Sequence, residues 1–371
     1  MMEAPKAGHG PEEAGAHVQR RHLTPNHLAQ TIAGALAASL VPVLVALLLS
    51  GALLAAFGVD PLAYYGYVVA RGVLSPSGLQ STLTHMAPLL LIAASQIVAF
   101  RSGVWNLGGD GQFLLGATAA AAAGPALALV LPPWLALALG LALGFAVGAL
   151  WSLAPALLKA YQGLNEIVTT LMMTFLGVSL ANALVKLVFL DPATTVPQTR
   201  TLAVADRLPR LFGTTVSSGL LIGLVALVAV HLVLRYTAFG FRLRVTGAST
   251  RAAVHAGLDV PRLVIAVFAL SAGLAGLAGA VQVLGVEGNM RADWNPAYGL
   301  VVVPLVFLAR LNGLAAIVFV FLFSVLSIGG ESAARRLGVP NDLTLVVAAI
   351  VLVTLALAER LQQRRQKRAG A

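Results

Sequence analysis

The chain alternates long apolar runs with short polar breaks. The runs cover Leu28 to Phe57, Thr82 to Phe100, a stretch ending near Val130, Trp134 to Leu158, a stretch opening at Asn165, Ser217 to Leu234, Leu263 to Leu284, Leu314 to Gly330 and Leu343 to Ala358. Each fits a helix that crosses a bilayer, for which roughly 20 residues suffice. One further run, Tyr298 to Ala309, is shorter and contains Pro304. At 1.5 Å per residue it reaches only about 18 Å, the pattern of a half-helix beside a transport path. The pattern predicts an all-α polytopic membrane protein over residues 28–359, with about 10 transmembrane helices and broken or half-helix segments among them. Both termini then lie inside. If Tyr298 to Asn312 re-enters instead of crossing, nine crossings remain and the C-terminus moves outside. Residues 1–27 are polar and predict a disordered cytoplasmic tail, and 360–371 form a basic cytoplasmic tail. The first apolar run is too long for a cleaved signal peptide.

Three polar breaks carry the candidate chemistry. The break at 236–262 holds Arg242, Arg244, Arg251 and Arg262 against one acid, Asp259, which places it in the cytoplasm. Within it Ser249 to Leu258 predicts a short helix, capped by Ser249 or Thr250 and ended by Gly257. It reads either as a docking element for a cytosolic partner or as an ordinary basic loop. The break from Arg101 to Ala117 is rich in glycine and carries Asn106, Asp110 and Gln112. Non-helical backbone inside a membrane must be buried in protein or line a water-filled cavity. The two readings are a packed turn at the mouth of a translocation path and a plain cytoplasmic turn. The third break opens a helix at Asn165 and Glu166, where exposed amides favour a carboxylate, so capping is a sufficient account of Glu166. Thr169, Thr170 and Thr174 follow on that helix and can hydrogen-bond across to neighbours. Gly273, Gly276 and Gly279 recur at near-helical spacing and predict close packing of another helix.

Composition and charge then exclude other classes. Only 10% of the 371 residues are charged, against roughly a quarter in a soluble protein. The net charge of +10 does not indicate nucleic acid, because the arginines are dispersed between spans without interleaved aromatics. Sixteen of the 24 lysines and arginines fall on the proposed inner side, in keeping with the positive-inside bias; among the outer eight, Arg335 and Arg336 are an awkward pair. The absence of cysteine excludes disulfides and thiolate metal sites. The seven histidines form no HExxH pair, and neither GxSxG nor GxxxxGK[ST] occurs, so the chain does not hydrolyse nucleotide itself. Asp110 and Glu166 lie near span ends and no acid lies mid-span, whereas secondary carriers place ionisable groups deep in the bilayer. A separate ATPase docking at 236–262 would supply the energy; an ATP-independent carrier or facilitator for a small polar solute is the alternative.

Four stretches carry a resemblance. Asn106-Leu-Gly-Gly-Asp-Gly-Gln112, Asn165-Glu-Ile-Val-Thr-Thr-Leu-Met172, Gly240 to Gly257 and Leu308-Ala-Arg-Leu-Asn-Gly313 are similar to segments of the permease subunits of bacterial ABC importers, in the family that includes simple-sugar, nucleoside and branched-chain amino acid permeases. Asp110 stands where that family usually has Glu, Ser249 where Asn is common, and Val303 to Phe307 is bulkier than usual. The resemblance implies a permease moving nucleosides or simple sugars across the cytoplasmic membrane. Its implied partners are a cytosolic ATPase that binds the ATP, a second and different permease subunit, and an extracytoplasmic binding lipoprotein, with no cofactor in this chain. It also implies that Asn106, Asp110, Gln112, Asn165, Glu166, Thr170 and Pro304 lie along the substrate path. Arg242, Arg244, Arg251, Ala252, Ala253 and Gly257 would meet the ATPase.

Overall fold

The computed structural model describes residues 44–338, 340, 343–354 and 357. Both tails, the start of the first apolar run and the end of the last lie outside the described residues. The helices are α1 (Leu44–Ala56), α2 (Pro61–Val69), α3 (Pro76–Arg101), α4 (Gly109–Val130), α5 (Pro133–Trp151), α6 (Leu153–Gln162), α7 (Glu166–Ala183), α8 (Gly219–Tyr236), α9 (Ala238–Ala248), α10 (Thr250–His255), α11 (Val260–Gln282), α12 (Tyr298–Leu308), α13 (Gly313–Leu337) and α14 (Leu343–Thr354). Among the described residues, pairing of extended chain is limited to two isolated bridges, Gln198–Arg291 and Arg210–Ser217.

Seven helical stretches are long and apolar enough to cross a membrane. They are α3, α4, α5 with α6, α7 with the π turn Leu184–Val188, α8, α11 with the π turn Val283–Glu287, and α13. The shorter apolar helices are α1, α12 and α14. Helix starts follow local chemistry. Ser75 Oγ accepts from Gly78 N ahead of Pro76, so α3 begins earlier than the apolar run at Thr82 suggests. Asn165 caps α7 through Ile167 N, and Asn312 caps α13 through Leu314 N. The run from Trp134 to Leu158 breaks at Ser152, dividing α5 from α6.

The core forms around α3 and α11. Every residue of α3 from Met86 to Phe100 is buried, as expected of a helix that is apolar on all sides. Lipid supplies no hydrophobic drive between helices, so close backbone packing holds them together. At Gly116 of α4, a Cβ would sit 2.4 Å from the Gly276 carbonyl oxygen of α11; at Gly276, one would sit 2.2 Å from the Gly144 oxygen of α5. These three helices therefore meet at a point no side chain can occupy.

Candidate functional site

Between α3 and α4 the chain leaves helical geometry and turns back into the protein. Asn106 is fully buried there. Its Nδ2 donates to Gln112 Oε1 at 3.1 Å and to Ser271 Oγ at 2.9 Å. Its Oδ1 accepts from Gln112 Nε2 at 3.0 Å and from Gly108 N at 3.1 Å. Ser271 lies 3.1 Å from Ser95, which joins α11 and α3 to the same network. From α7, Thr170 Oγ1 accepts from Leu107 N and Thr174 Oγ1 donates to Leu107 O, at 3.2 and 3.1 Å. The broken backbone is thus satisfied by side chains, which a low-dielectric interior requires.

The half-helix α12 lands on this break. Its 11 residues make about 16 Å, roughly half a bilayer core. Gly299 N donates to Asp110 Oδ1 at 2.6 Å, so the N-termini of α4 and α12 converge on one buried acid. Both helix ends favour negative charge there. The approach depends on two glycines: a Cβ on Gly109 would lie 3.1 Å from Gly299 Cα, and one on Gly299 would lie 2.7 Å from Asp110 N. At the other end α12 closes through Arg310 and Leu311, both with left-handed φ of 52° and 57°. Arg101 grips that turn, donating from Nε and Nη2 to Leu311 O at 3.2 Å each. Phe307 of α12 stacks on Phe100 with ring centroids 4.9 Å apart, and Trp105 leans on both rings.

Residues 78–356 match the family described as branched-chain amino acid transport system / permease component. The chain belongs to that family. It is 31% identical over 328 residues to a glucose ABC transporter permease of Haloferax volcanii, covering 85% of this chain and 86% of that one. It is 29% identical to a guanosine ABC transporter permease of Bacillus subtilis, over 74% of this chain and 80% of that one. A nucleoside ABC transporter permease of Lactococcus lactis is 27% identical over 85% and 89%. The chain is therefore a permease subunit of an ATP-binding-cassette importer, multi-pass in the cytoplasmic membrane, whose kind works with an ATPase and a substrate-binding protein.

In this permease the cavity facing away from α9 and α10 has a volume of about 510 Å³. His85, Gln282, Glu287, Trp294, Phe323 and Glu331 line it together with Tyr298, the first residue of α12. His85 Nδ1 is 3.3 Å from Ser324 Oγ, and its ring meets Tyr298 edge-on at 5.5 Å. Gln282, Glu287, Trp294 and Glu331 stand singly at helix ends and in a loop and belong to no motif, so the sequence pattern does not mark them. The seven residues expected along the path are placed as follows. Asn106, Asp110, Gln112 and Thr170 form the buried framework beneath the cavity. Asn165 is a cap, Glu166 pairs with Lys159 at 2.7 Å, and Pro304 is half-buried within α12. None of the seven lines this cavity. Buried amides in a glycine-rich break serve the backbone first.

The 236–262 break folds into α9 and α10, more helix than the sequence suggested. Ser249 caps α10 as expected, accepting from Ala252 N at 3.3 Å, and Gly257 has φ +75°. Arg242, Arg244, Arg251, Ala252 and Gly257 are exposed. Ala253 is fully buried, so it anchors α10 and does not face a partner as expected. Phe241 and Val254 are 60% and 59% exposed on the same segment and were missed. A Cβ on Gly247 of α9 would lie 2.5 Å from Arg101 O, so α9 rests directly against the start of the Arg101–Ala117 break.

Proposed function

We propose that this permease moves nucleosides or simple sugars inward by alternating access, driven by an ATPase that binds the ATP and docks on the exposed face of α9 and α10. Arg242, Arg244, Arg251, Ala252 and Gly257, with Phe241 and Val254, form that face. The solute enters the cavity above α12 from the extracytoplasmic side. The observation that carries this reading is the half-helix: its first residue lines a polar, aromatic cavity, and its last turn is held by Arg101, against which α9 rests. Movement of the docked loop thereby reaches the cavity lining through one guanidinium and one short helix. Trp294, Tyr298 and Phe323 offer flat faces to a base or a sugar ring, while Glu287, Glu331 and Gln282 match hydroxyl groups. A second, different permease subunit and an extracytoplasmic binding lipoprotein complete the assembly, and no cofactor is bound by this chain. The glucose and nucleoside names of its relatives fit the same chemistry.

The test is uptake of labelled glucose and guanosine into cells expressing the full assembly, with and without an ATPase variant unable to hydrolyse ATP. Uptake of one solute that stops with that variant supports the proposal. Uptake that continues unchanged would replace it with an ATP-independent carrier.

A further inference from the structure

The inner ends of α3 and α8, with α9, bring Arg101, Arg235 and Arg244 to one pocket of about 220 Å³, which His231, Leu311 and Asn312 help to complete. No carboxylate lines it, and among the described residues no ion pair reaches any of these three arginines. Other inner cations are compensated: Lys159 pairs with Glu166 at 2.7 Å, and Arg262 with Asp259 at 3.0 Å. Arg101 commits Nε and Nη2 to Leu311 O, which leaves Nη1 for a ligand. Arg235 lies over the ring of its neighbour Tyr236 at 5.4 Å, a contact that consumes no hydrogen-bond donor. Asn312 is the cap of α13, so the positive end of that helix's dipole reaches the same place. A cleft lined by one sign of charge concentrates counter-ions of the other.

We infer that this pocket binds the phosphate group of an anionic phospholipid from the inner leaflet. Depth supports it. Arg101 ends α3 and Arg235 belongs to the last turn of α8, so the pocket lies where these spans leave the bilayer, among the headgroups. Basic pockets between helices on the cytoplasmic side suit anionic headgroups, and guanidinium groups bind phosphate through paired N–H donors. An apolar track adjoins the pocket. Leu314, Val318 and Leu322 step away from Asn312 at four-residue intervals on α13, each more than half exposed, so an acyl chain can follow one helix face into the membrane. A free phosphate ion shares the recognition chemistry but has no use for that track. Bound there, the phosphate ties α3, α8 and α9 together beside the Leu311 carbonyl that Arg101 holds. The inference needs only that this end of α8 faces the cytoplasm, and it stands whichever solute is carried.

The full-length permease with its ATPase is purified in mild detergent and offered phosphatidylglycerol and phosphatidylcholine with the same acyl chains. Native mass spectrometry then counts the lipid retained. Phosphatidylglycerol should be held at least about tenfold over phosphatidylcholine. That preference should fall about fivefold in R235Q and at least about tenfold in R235E, and should persist in R262Q, which removes an inner cation outside the pocket. Arg235 is the position to change because Arg101 also holds α12 and Arg244 also belongs to the face proposed for the ATPase. Elution of each variant as a single species at the parent's position shows that the fold is intact. Equal retention by the parent and R235E would overturn the inference. An equal loss in R262Q would also overturn it, since the attraction would then be general to the inner surface. A last arm supplies inorganic phosphate in place of lipid. Phosphate binding that R235E abolishes, with phosphatidylglycerol held as in the parent, would make the pocket a site for the free ion and remove the lipid from it.

Discussion

Asp110 brings an acidic group into the interior of a membrane protein, and the convergence of two helix N-termini makes that position workable. Its Oδ1 takes the first amide of α12 at 2.6 Å, an N–H that would otherwise be buried without a partner. Replacing it with leucine removes the acceptor and leaves that amide unpaired, a loss of roughly 1–3 kcal/mol. Asp110→Asn keeps an oxygen in place and loses less. Thermal unfolding of the detergent-purified protein should therefore rank parent above Asp110→Asn and Asp110→Leu last; an unchanged midpoint in the leucine variant would remove Asp110 from the framework. The glycine contact among α4, α5 and α11 is less forgiving. A single methyl at Gly276 would meet the Gly144 carbonyl oxygen at 2.2 Å, which is backbone and cannot swing aside. Gly276→Ala should cost at least about 1–3 kcal/mol, as overpacking does elsewhere, and should lower the yield of folded protein in the membrane.

At the scale of elements, α9, the Arg101–Ala117 break and α12 act as a linked series. Gly247 brings α9 against the backbone at Arg101, and the Arg101 side chain holds the Leu311 carbonyl at the end of α12. Arg101→Ala leaves the exposed face of α9 and α10 untouched, so ATPase association should persist. Transport, which needs the lining of the cavity to follow the loop, should fall at least about tenfold, equivalent to some 1.4 kcal/mol of lost coupling. Co-purification of the ATPase alongside an uptake assay separates the two effects. Full uptake in the variant would show that motion reaches α12 by another route. The sequence marked each of these elements, because a glycine cluster, a basic break and a proline-interrupted short run all interrupt the apolar pattern. It did not show that they touch. Asn106 and Ser271 are 165 positions apart, and Gly299 and Asp110 are 189 apart. No local periodicity encodes such pairings. The cavity residues were harder still: Trp294 and Glu331 look like unremarkable members of a loop and a helix end until α12 brings them beside Tyr298. Conversely, Asn106 and Gln112 drew notice as polar groups near a span end, and polar groups at depth are as often spent on satisfying backbone as on meeting a solute.

For the whole molecule, the open question raised by the sequence was whether the segment from Tyr298 to Asn312 traverses the membrane or returns to the side it came from. The helix in that segment is too short to cross alone, yet its two ends lie in different company. The chain entering it passes Glu287 and Asn295 at the outer cavity, and the chain leaving it is bound to Arg101, beside α9 and the basic inner break. The crossing is therefore completed by the non-helical approach before α12 rather than by α12 itself, which keeps the direction of α13 and places Arg71, Arg335 and Arg336, which line one pocket, outside. Because the chain has no cysteine, single introduced cysteines can report this directly. An exposed thiol reacts with a membrane-impermeant maleimide only from the face it occupies. Ser77→Cys and Asn295→Cys, both at exposed positions, should label in intact cells. Ala252→Cys and Arg310→Cys, also exposed, should label only after the membrane is opened. The pair Asn295→Cys and Arg310→Cys decides the matter. If both react from outside, α12 is re-entrant and the crossing assigned to this segment is wrong. If they react from opposite faces, a helix of half the required length sits within a complete crossing, with its N-terminus held at depth where a solute in the cavity can reach it.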